Sequence, residues 1–335
     1  MERGRIWVED INDPTPQDGE VLVSTLACGI CGSDLHAAQH TEDFVRTSRE
    51  AGGAFKLTTF APVVLGHEFC AEIIDYGPNT KQTHAVGTKV CAIPMLTRPG
   101  MVAVGYSDQV PGGFAEHMVL AEAMLTPVPD GTPAHAAALT EPMAVGLHAV
   151  NKARLEGGEA VVVIGCGPVG LAVITALKAT GAGPIIASDF SPTRRRYAAL
   201  QGADVVLNPA EDTPWEQADL KRREQAVVFE CVGVPGMLDQ VFLGAPQNAR
   251  IVVAGVCLQT DQSRPLIAIN KELNVQYVLG YTPQEFRDSL EAIADGRFDI
   301  EPLVTGQISL DEVADTFESL KSPEAHAKVV VEPWR

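Results

Sequence analysis

The sequence predicts an α/β chain of two domains, one β-rich and compact, the other built on a doubly wound parallel sheet. Three observations carry this. Short β-rich runs alternate with Gly/Pro punctuation up to about residue 140. From Ala136 onward, long helical stretches alternate with apolar strands of the kind a parallel sheet buries on both faces. Within that second part, Gly165-Cys166-Gly167-Pro168-Val169-Gly170 joins a strand to a helix. With 335 residues, 46% of them apolar, the chain can fill two ordinary cores.

In the first part, strands are expected at 20–24, 70–74, 89–93 and 116–120. The second part offers six, at 160–164, 184–188, 205–207, 226–230, 250–254 and 274–279, the number a doubly wound nucleotide-binding sheet requires. Beyond Tyr281 come two amphipathic segments with helix start signals, 283–295 and 310–320, and then an apolar strand, 327–331. This tail is read as returning to the first domain. The partition is therefore 1–142 with 282–335 for the β-rich domain and 143–281 for the inserted one. No internal repeat or low-complexity tract interrupts it.

Charge and cysteine content narrow the function classes. A formal net charge of -18 repels both a nucleic-acid backbone and an anionic membrane surface, so neither is an expected partner, and a small-molecule substrate fits better. The amino terminus lacks an apolar run of signal-peptide length, and no stretch approaches the ~18 residues of a membrane helix. A cytoplasmic location is expected. Seven scattered cysteines do not make a disulfide framework, and Cys70, Cys91, Cys166, Cys231 and Cys257 read as free thiols, mostly small core residues.

The glycine-rich turn sits where its mechanism needs it. Gly165 permits the tight turn, Gly167 lets backbone approach a pyrophosphate, and Gly170 allows close helix packing, while Pro168 and Val169 open a helix whose free N–H groups face the phosphates. Asp189 ends the next strand, placed to bond the adenosine ribose hydroxyls and repel a 2′-phosphate, which favours NAD over NADP. Arg194, Arg195 and Arg196 could instead meet such a phosphate, or be a solvated first helical turn after Ser191-Pro192.

Residues 28–36 read Cys-Gly-Ile-Cys-Gly-Ser-Asp-Leu-His, and Gly66-His67-Glu68 follows. Together they supply a thiolate, an imidazole and a carboxylate, a set that suits borderline-soft Zn²⁺ and leaves a fourth position open, as a catalytic site requires. Cys28 and Cys31 could also form a redox pair or half of a zinc knuckle, but a knuckle needs a second C-x-x-C and the chain has none.

With the glycine-rich turn, this run resembles the zinc-dependent alcohol dehydrogenases of the medium-chain dehydrogenase/reductase superfamily, over nearly the whole chain. The resemblance implies a GroES-like catalytic domain discontinuous around a Rossmann domain, with the active site in the cleft between them. It implies Cys31 and His67 as zinc ligands, and Glu68 as ligand or close neighbour. Glu141 falls where relatives place a last ligand or a carboxylate that bonds the zinc-bound water; its other reading is a helix amino-terminal carboxylate favoured by the dipole. Ser33 and His36 correspond to a proton relay. Asp34 would accept the free N–H of His67 and fix its tautomer. Arg194 stands where relatives keep a basic residue against the NAD ribose.

Departures from the family are equally specific. Relatives with a second, structural zinc carry four close cysteines on a lobe where this chain has only Cys91, so a single catalytic zinc per subunit and no structural one is expected. Gly32 stands where some relatives place a base on the pyrophosphate. The Cys31–His67 spacing is long by roughly a short helix, supplied by 41–53, with Thr41 as cap and Gly52-Gly53 as stop. With Phe44, Phe55 and Phe60 in or near it, this segment is expected at the substrate entrance, the alternative being a solvent-facing insertion or a subunit contact. Met95 and Leu96 are candidates for an apolar substrate wall. Of an Arg-Tyr pair found in polyol dehydrogenases only Tyr281 is present.

The expected activity is reversible oxidation of a small, secondary alcohol to a ketone or aldehyde with hydride transfer to NAD. Polyol, 2,3-butanediol and L-threonine 3-dehydrogenases are alternatives, and a nucleotide-binding protein without turnover is an alternative of another class. A homodimer or homotetramer is the expected assembly.

Overall fold

The structure is a computed structural model that describes residues 1–53, 55, 57–222 and 225–335. Strand β1 (Glu20–Gly29) is the spine of the first sheet, its residues alternating between buried and half-buried along most of its length. The chain then forms α1 (Gly32–Gln39) and, through the single residue His40, α2 (Thr41–Glu50). It returns as β2 (Glu68–Tyr76), antiparallel to β1 with Gly29 opposite Glu68. Next come β3 (Lys89–Ala92), the small hairpin β4 (Met95–Leu96) and β5 (Val102–Ala103), β6 (His117–Ala121), and β7 (Leu125–Pro127), before α3 (Ala134–Ala138) and α4 (Thr140–Ala153).

Six parallel strands follow: β8 (Ala160–Ile164), α5 (Pro168–Thr180), β9 (Ile185–Ser188), α6 (Pro192–Leu200), β10 (Val205–Leu207), α7 (Ala218–Arg222), β11 (Ala226–Glu230), α8 (Met237–Gly244), β12 (Arg250–Val253), α9 (Pro265–Asn270) and β13 (Asn274–Tyr277). Their order is β10-β9-β8-β11-β12-β13. Strand order reverses beside β8, so the glycine-rich turn at its carboxyl end lies at the crevice where such sheets bind ligands. The central strands β8 and β11 are almost wholly buried, as their unbroken valine runs require. Helix α5 begins with Pro168 and stops at Gly181, φ +72°.

The tail forms α10 (Pro283–Ala294), β14 (Val304–Ile308), α11 (Val313–Ser319) and β15 (Lys328–Val331). Strand β15 pairs antiparallel with the end of β1 and parallel with β14, giving a sheet β14-β15-β1-β2-β3-β7, with β6 along the first half of β1. The expected strand at 20–24 therefore runs on to Gly29, because its second half is held by β2 and β15, partners distant in sequence. Strand β14 was not expected, since Val-Thr-Gly-Gln-Ile is half polar. The expected helix at 310–320 opens as a 3-10 turn, Leu310–Glu312. Thr41 does not cap α2: it is the first helical residue, and its hydroxyl donates to the Ala37 carbonyl at 2.6 Å, bonding α2 back to α1. Gly52, at φ +68°, does follow the helix end.

One apolar cluster runs from Ala27, Cys70 and Cys91 of the first sheet through Ala144 and Val150 of α4 to Val163 and Phe229 of the second, and takes in Phe286 and Leu290 of α10. Helix α10 is tied to α4 by Glu285, whose carboxylate meets His148 Nδ1 at 2.8 Å and accepts from Asn151 Nδ2 at 2.8 Å and from Thr282 N at 2.7 Å. Burial alone would raise its pKa, but the bonds from Asn151, Thr282 and His148 outweigh that and hold it down at about 2. A depressed carboxylate stabilises the fold above its unfolded pKa of roughly 4.3, and this contribution is lost as pH falls through the folded value of about 2. Glu285→Gln is expected to lower the unfolding midpoint at pH 7 by a few degrees, equivalent to about 2 kcal/mol. The gap between variant and wild type should close between those two pH values, as followed by circular dichroism melts; a gap independent of pH would contradict this assignment.

Candidate active site

The β1–β2 register creates the site. Pairing Gly29 with Glu68 brings the residues after β1 and those before β2 to one end of the strand pair, so Cys31 and His67-Glu68 meet although far apart in sequence. Gly66 makes the approach: it sits at φ +100°, and a Cβ there would press on Phe114 and the Cys28 sulfur at 2.8–2.9 Å. A Cβ at Gly29 would overlap the Glu68 carboxylate. The two cysteines separate in role. Cys28 is fully buried against Gly66 and Gly113, and burial pushes its thiol well up, so it packs. Cys31 stands at the amino end of α1, where a thiolate is best accommodated, and is partly accessible.

One donor atom each from Cys31, His67 and Glu68 lie within 4.8 Å of one another. Sulfur, nitrogen and oxygen in that compass fit Zn²⁺. Asp34 lies beside the arrangement: its Oδ2 accepts from the Cys31 amide at 2.9 Å and its Oδ1 lies 3.4 Å from His67 Nδ1. Burial alone would lower the His67 pKa, but the Asp34 carboxylate and Cys31 override it and hold it well up. The surroundings thus call for a positive charge at this point.

Lys328 is a participant that the sequence reading missed. Buried on β15, its ammonium lies 2.6 and 2.5 Å from the two Glu68 oxygens and donates to the Ile30 carbonyl at 2.9 Å. A lone lysine inside Lys-Val-Val-Val was the available signal, since a strand lysine between buried neighbours needs a buried partner. Glu141 lies in the first turn of α4, so its helix-terminal reading holds geometrically, and it also belongs to the site's electrostatics. Burial pushes its pKa up to about 7, His67 pulls against that, Glu68 adds to it, and the Tyr281 hydroxyl bonds the carboxylate.

Ser33 and His36 sit one turn apart on α1, hence on one face. Ser33 Oγ is 2.6 Å from the Tyr106 hydroxyl. Burial, helped by His40, lowers the His36 pKa, so its imidazole is neutral near pH 7 and can accept a proton. Met95 is half-buried, but Leu96 is fully buried in the core of the first sheet, so it cannot form a substrate wall. Phe44 and Phe55 stack on each other, 5.4 Å between ring centroids, and on Tyr106 at 5.5 and 4.7 Å. Tyr106 in turn lies 5.0 Å from the His67 ring.

At the glycine-rich turn, Gly165 adopts φ +88°, and a Cβ on Gly170 would collide with the Gly165 carbonyl. Gly167 opens differently: a Cβ there would meet only the Arg194 guanidinium, at 3.9 Å, leaving a cradle for a ligand. Pro168 and Val169 form the first turn of α5. Asp189 accepts from the Cys166 amide and the Ser191 amide, both at 2.8 Å, so it shapes the turn while its remaining lone pairs are available to a ribose. Arg195 donates to the Asp189 and Phe190 carbonyls, and Arg196 lies over the Tyr197 ring.

Between Glu68 and Gly112, where a structural-zinc lobe was expected to be missing, the chain forms β2, β3 and the β4–β5 hairpin. Cys91 points elsewhere, its thiol donating to the Ala137 carbonyl at 3.2 Å inside the core. Arg98, on the hairpin connection, makes a bidentate pair with Glu20 at 2.6 and 2.8 Å. Among the described residues, no helix is long and apolar enough to cross a membrane.

Comparisons with known proteins bear on the family and the fold. Residues 17–130 match the alcohol dehydrogenase GroES-like domain model, and 168–295 match the zinc-binding dehydrogenase model. The chain is 32% identical to (R,R)-butanediol dehydrogenase of Bacillus subtilis (strain 168), covering 98% of this chain and 96% of that one. It is 29% identical to sorbitol dehydrogenase of the same organism, covering 98% and 95%. Its fold is similar to the crystal structure of Bacillus subtilis 2R,3R-butanediol dehydrogenase, with a TM-score of 0.85 and 30% identity over 99% of this chain and 97% of that one. A Sinorhizobium meliloti 1021 protein described as a zinc-binding dehydrogenase bound to NADP is similar at a TM-score of 0.83 and 26% identity, over 99% and 97%. This chain belongs to the zinc-dependent alcohol dehydrogenase family of the medium-chain dehydrogenases/reductases.

Proposed function

We propose that the chain oxidises a small secondary alcohol to a ketone, reversibly, with NAD as hydride acceptor and one catalytic zinc per subunit. The observation that carries this reading is the convergence of Cys31, His67 and Glu68 within 4.8 Å, at the start of the helix that bears Ser33 and His36. The butanediol and sorbitol relatives, named for substrates with secondary hydroxyls, support the substrate class. A vicinal diol of the butanediol type is the second reading, favoured by the 32% identity.

Cys31 and His67 would hold the zinc, with Glu68 as third donor and Glu141 as a nearby carboxylate outside that cluster. Bound there, zinc supplies a Lewis acid that lowers the alcohol pKa by several units and stabilises the charge developing on its oxygen. Asp34 fixes the His67 ring, and Lys328 offsets the charge of Glu68. Ser33 receives the alcohol proton, and His36, neutral and one turn further along, passes it to solvent. The cofactor pyrophosphate fits over Gly167 and the amino end of α5, with Arg194 beside it.

We further propose that the 1–142 and 282–335 segments act as the catalytic domain around 143–281, and that the chain is a homo-oligomer. Among the described residues, edge strand β13 has no strand paired to one side, and Tyr277 and the following Leu279 are strongly exposed, as are Leu266 and Ile269 of α9. Such an edge suits pairing with a second copy.

Three tests follow from these assignments. Purified protein should contain about one zinc per chain, and Cys31→Ala should lose both zinc and turnover while keeping its circular dichroism spectrum; two tightly held zincs would contradict the single-site reading. Asp189→Gly should shift the kcat/KM ratio of NAD to NADP toward NADP by about tenfold or more, and a wild-type preference for NADP would show that Arg194 governs the ribose pocket instead. Phe55→Ala, at the accessible end of the aromatic stack, should reorder straight and branched secondary alcohols by kcat/KM and leave the KM for NAD nearly unchanged. An unchanged order would place the 41–53 segment outside the substrate path.

A further inference from the structure

Tyr106 belongs to none of the sequence motifs, yet it touches three parts of the site. It is 4% exposed, its ring lies 5.0 Å from His67, its other neighbours are Phe44 and Phe55, and its hydroxyl is 2.6 Å from Ser33 Oγ. A buried phenol must place its O–H on an acceptor, and Ser33 Oγ is the acceptor the described contacts provide. The donor is therefore Tyr106 and the acceptor Ser33.

That direction restricts what Ser33 can do. A serine hydroxyl has one proton and two acceptor positions, and its proton rotates to suit its surroundings. With one acceptor position filled by Tyr106, the Ser33 proton cannot point at Tyr106, and the second acceptor position is left for the alcohol. In alcohol oxidation the substrate O–H then donates into that position while the serine proton leaves toward the outer end of α1. In ketone reduction the same proton flow runs backward. No net charge is gained by Tyr106, which keeps its proton throughout.

We propose that Tyr106 is a positioning residue that sets the orientation of the Ser33 hydroxyl for proton transfer, and that the aromatic stack from Phe44 and Phe55 holds it in place. The inference rests on the reading of Ser33 as the relay residue given above. The ring stack also explains why the segment between Cys31 and His67 is long: α2 and the residues after it supply the two phenylalanines that back Tyr106.

The test compares Tyr106→Phe, Ser33→Ala and the double variant, each as zinc-loaded enzyme with NAD and a secondary alcohol. Tyr106→Phe keeps the ring and its stacking, so zinc content, melting temperature and NADH affinity by fluorescence titration should stay at wild-type values. Its kcat should fall roughly tenfold, the loss of one oriented hydrogen bond, with little change in KM for NAD and a larger solvent deuterium isotope effect. In the Ser33→Ala background the same substitution should have no further effect on kcat, because a residue that acts through Ser33 is silent without it. Wild-type kcat and isotope effect in Tyr106→Phe, or an equal loss in both backgrounds, would overturn the proposal while leaving the relay intact. Wild-type kcat in Ser33→Ala would overturn the relay and the proposal with it.

Discussion

Negative charge in a confined space is the constraint on which the site depends. Cys31, Asp34, Glu68 and Glu141 all act on the same small volume around His67, and ions removed from water are costly unless each is answered by an opposite charge or a hydrogen bond. Lys328 answers Glu68 permanently, from a strand that arrives 260 residues later in the chain. Backbone amides answer part of Asp34. What remains falls on Cys31, His67 and Glu141, and a divalent cation resolves it better than protons do, because it can be shared among several donors at once. The architecture around the site can be read as the means of holding this charge arrangement together: β15 must reach β1, and β1 must register with β2, for the lysine and the three donors to coincide.

The parallel sheet was legible because its information is local. Valine runs at 160–164 and 226–230, proline and glycine at the ends of α5, and the glycine spacing at 165–170 each state their conformation within a few residues. Strand ends that depend on distant partners were not legible, as the extension of β1 to Gly29 and the half-polar β14 demonstrate. The same division runs through the site. Cys31, Ser33, His36, His67 and Glu68 sit in two compact motifs, and the structure brings Cys31, His67 and Glu68 together. Lys328 and Tyr106 carry no motif, and their contacts with Glu68 and Ser33 exist only once the chain has folded. Thr41 illustrates the opposite error: its residue type suits a cap, but α1 runs into α2 with one residue between them, so the hydroxyl finds a carbonyl behind it first.

The two sheets share a core through α4 and α10, and this bears on how they are held relative to each other. Glu285 bonds three donors from two helices, so the helix pair is fixed by directional contacts in addition to apolar packing. Glu141 and Tyr281 are positioned by that pair, since each lies at or just before the start of one of its helices.

The hairpin at 95–103 is pinned by a guanidinium and a carboxylate, Arg98 on Glu20. An arginine–carboxylate clamp has no oxidation state to lose. Thiol–disulfide exchange finds no sulfhydryl in this hairpin, and the partly accessible thiols lie elsewhere, at Cys31 in the site and at Cys231 and Cys257. A change of thiol redox state therefore leaves this clamp in place, while it can reach the chemistry through Cys31.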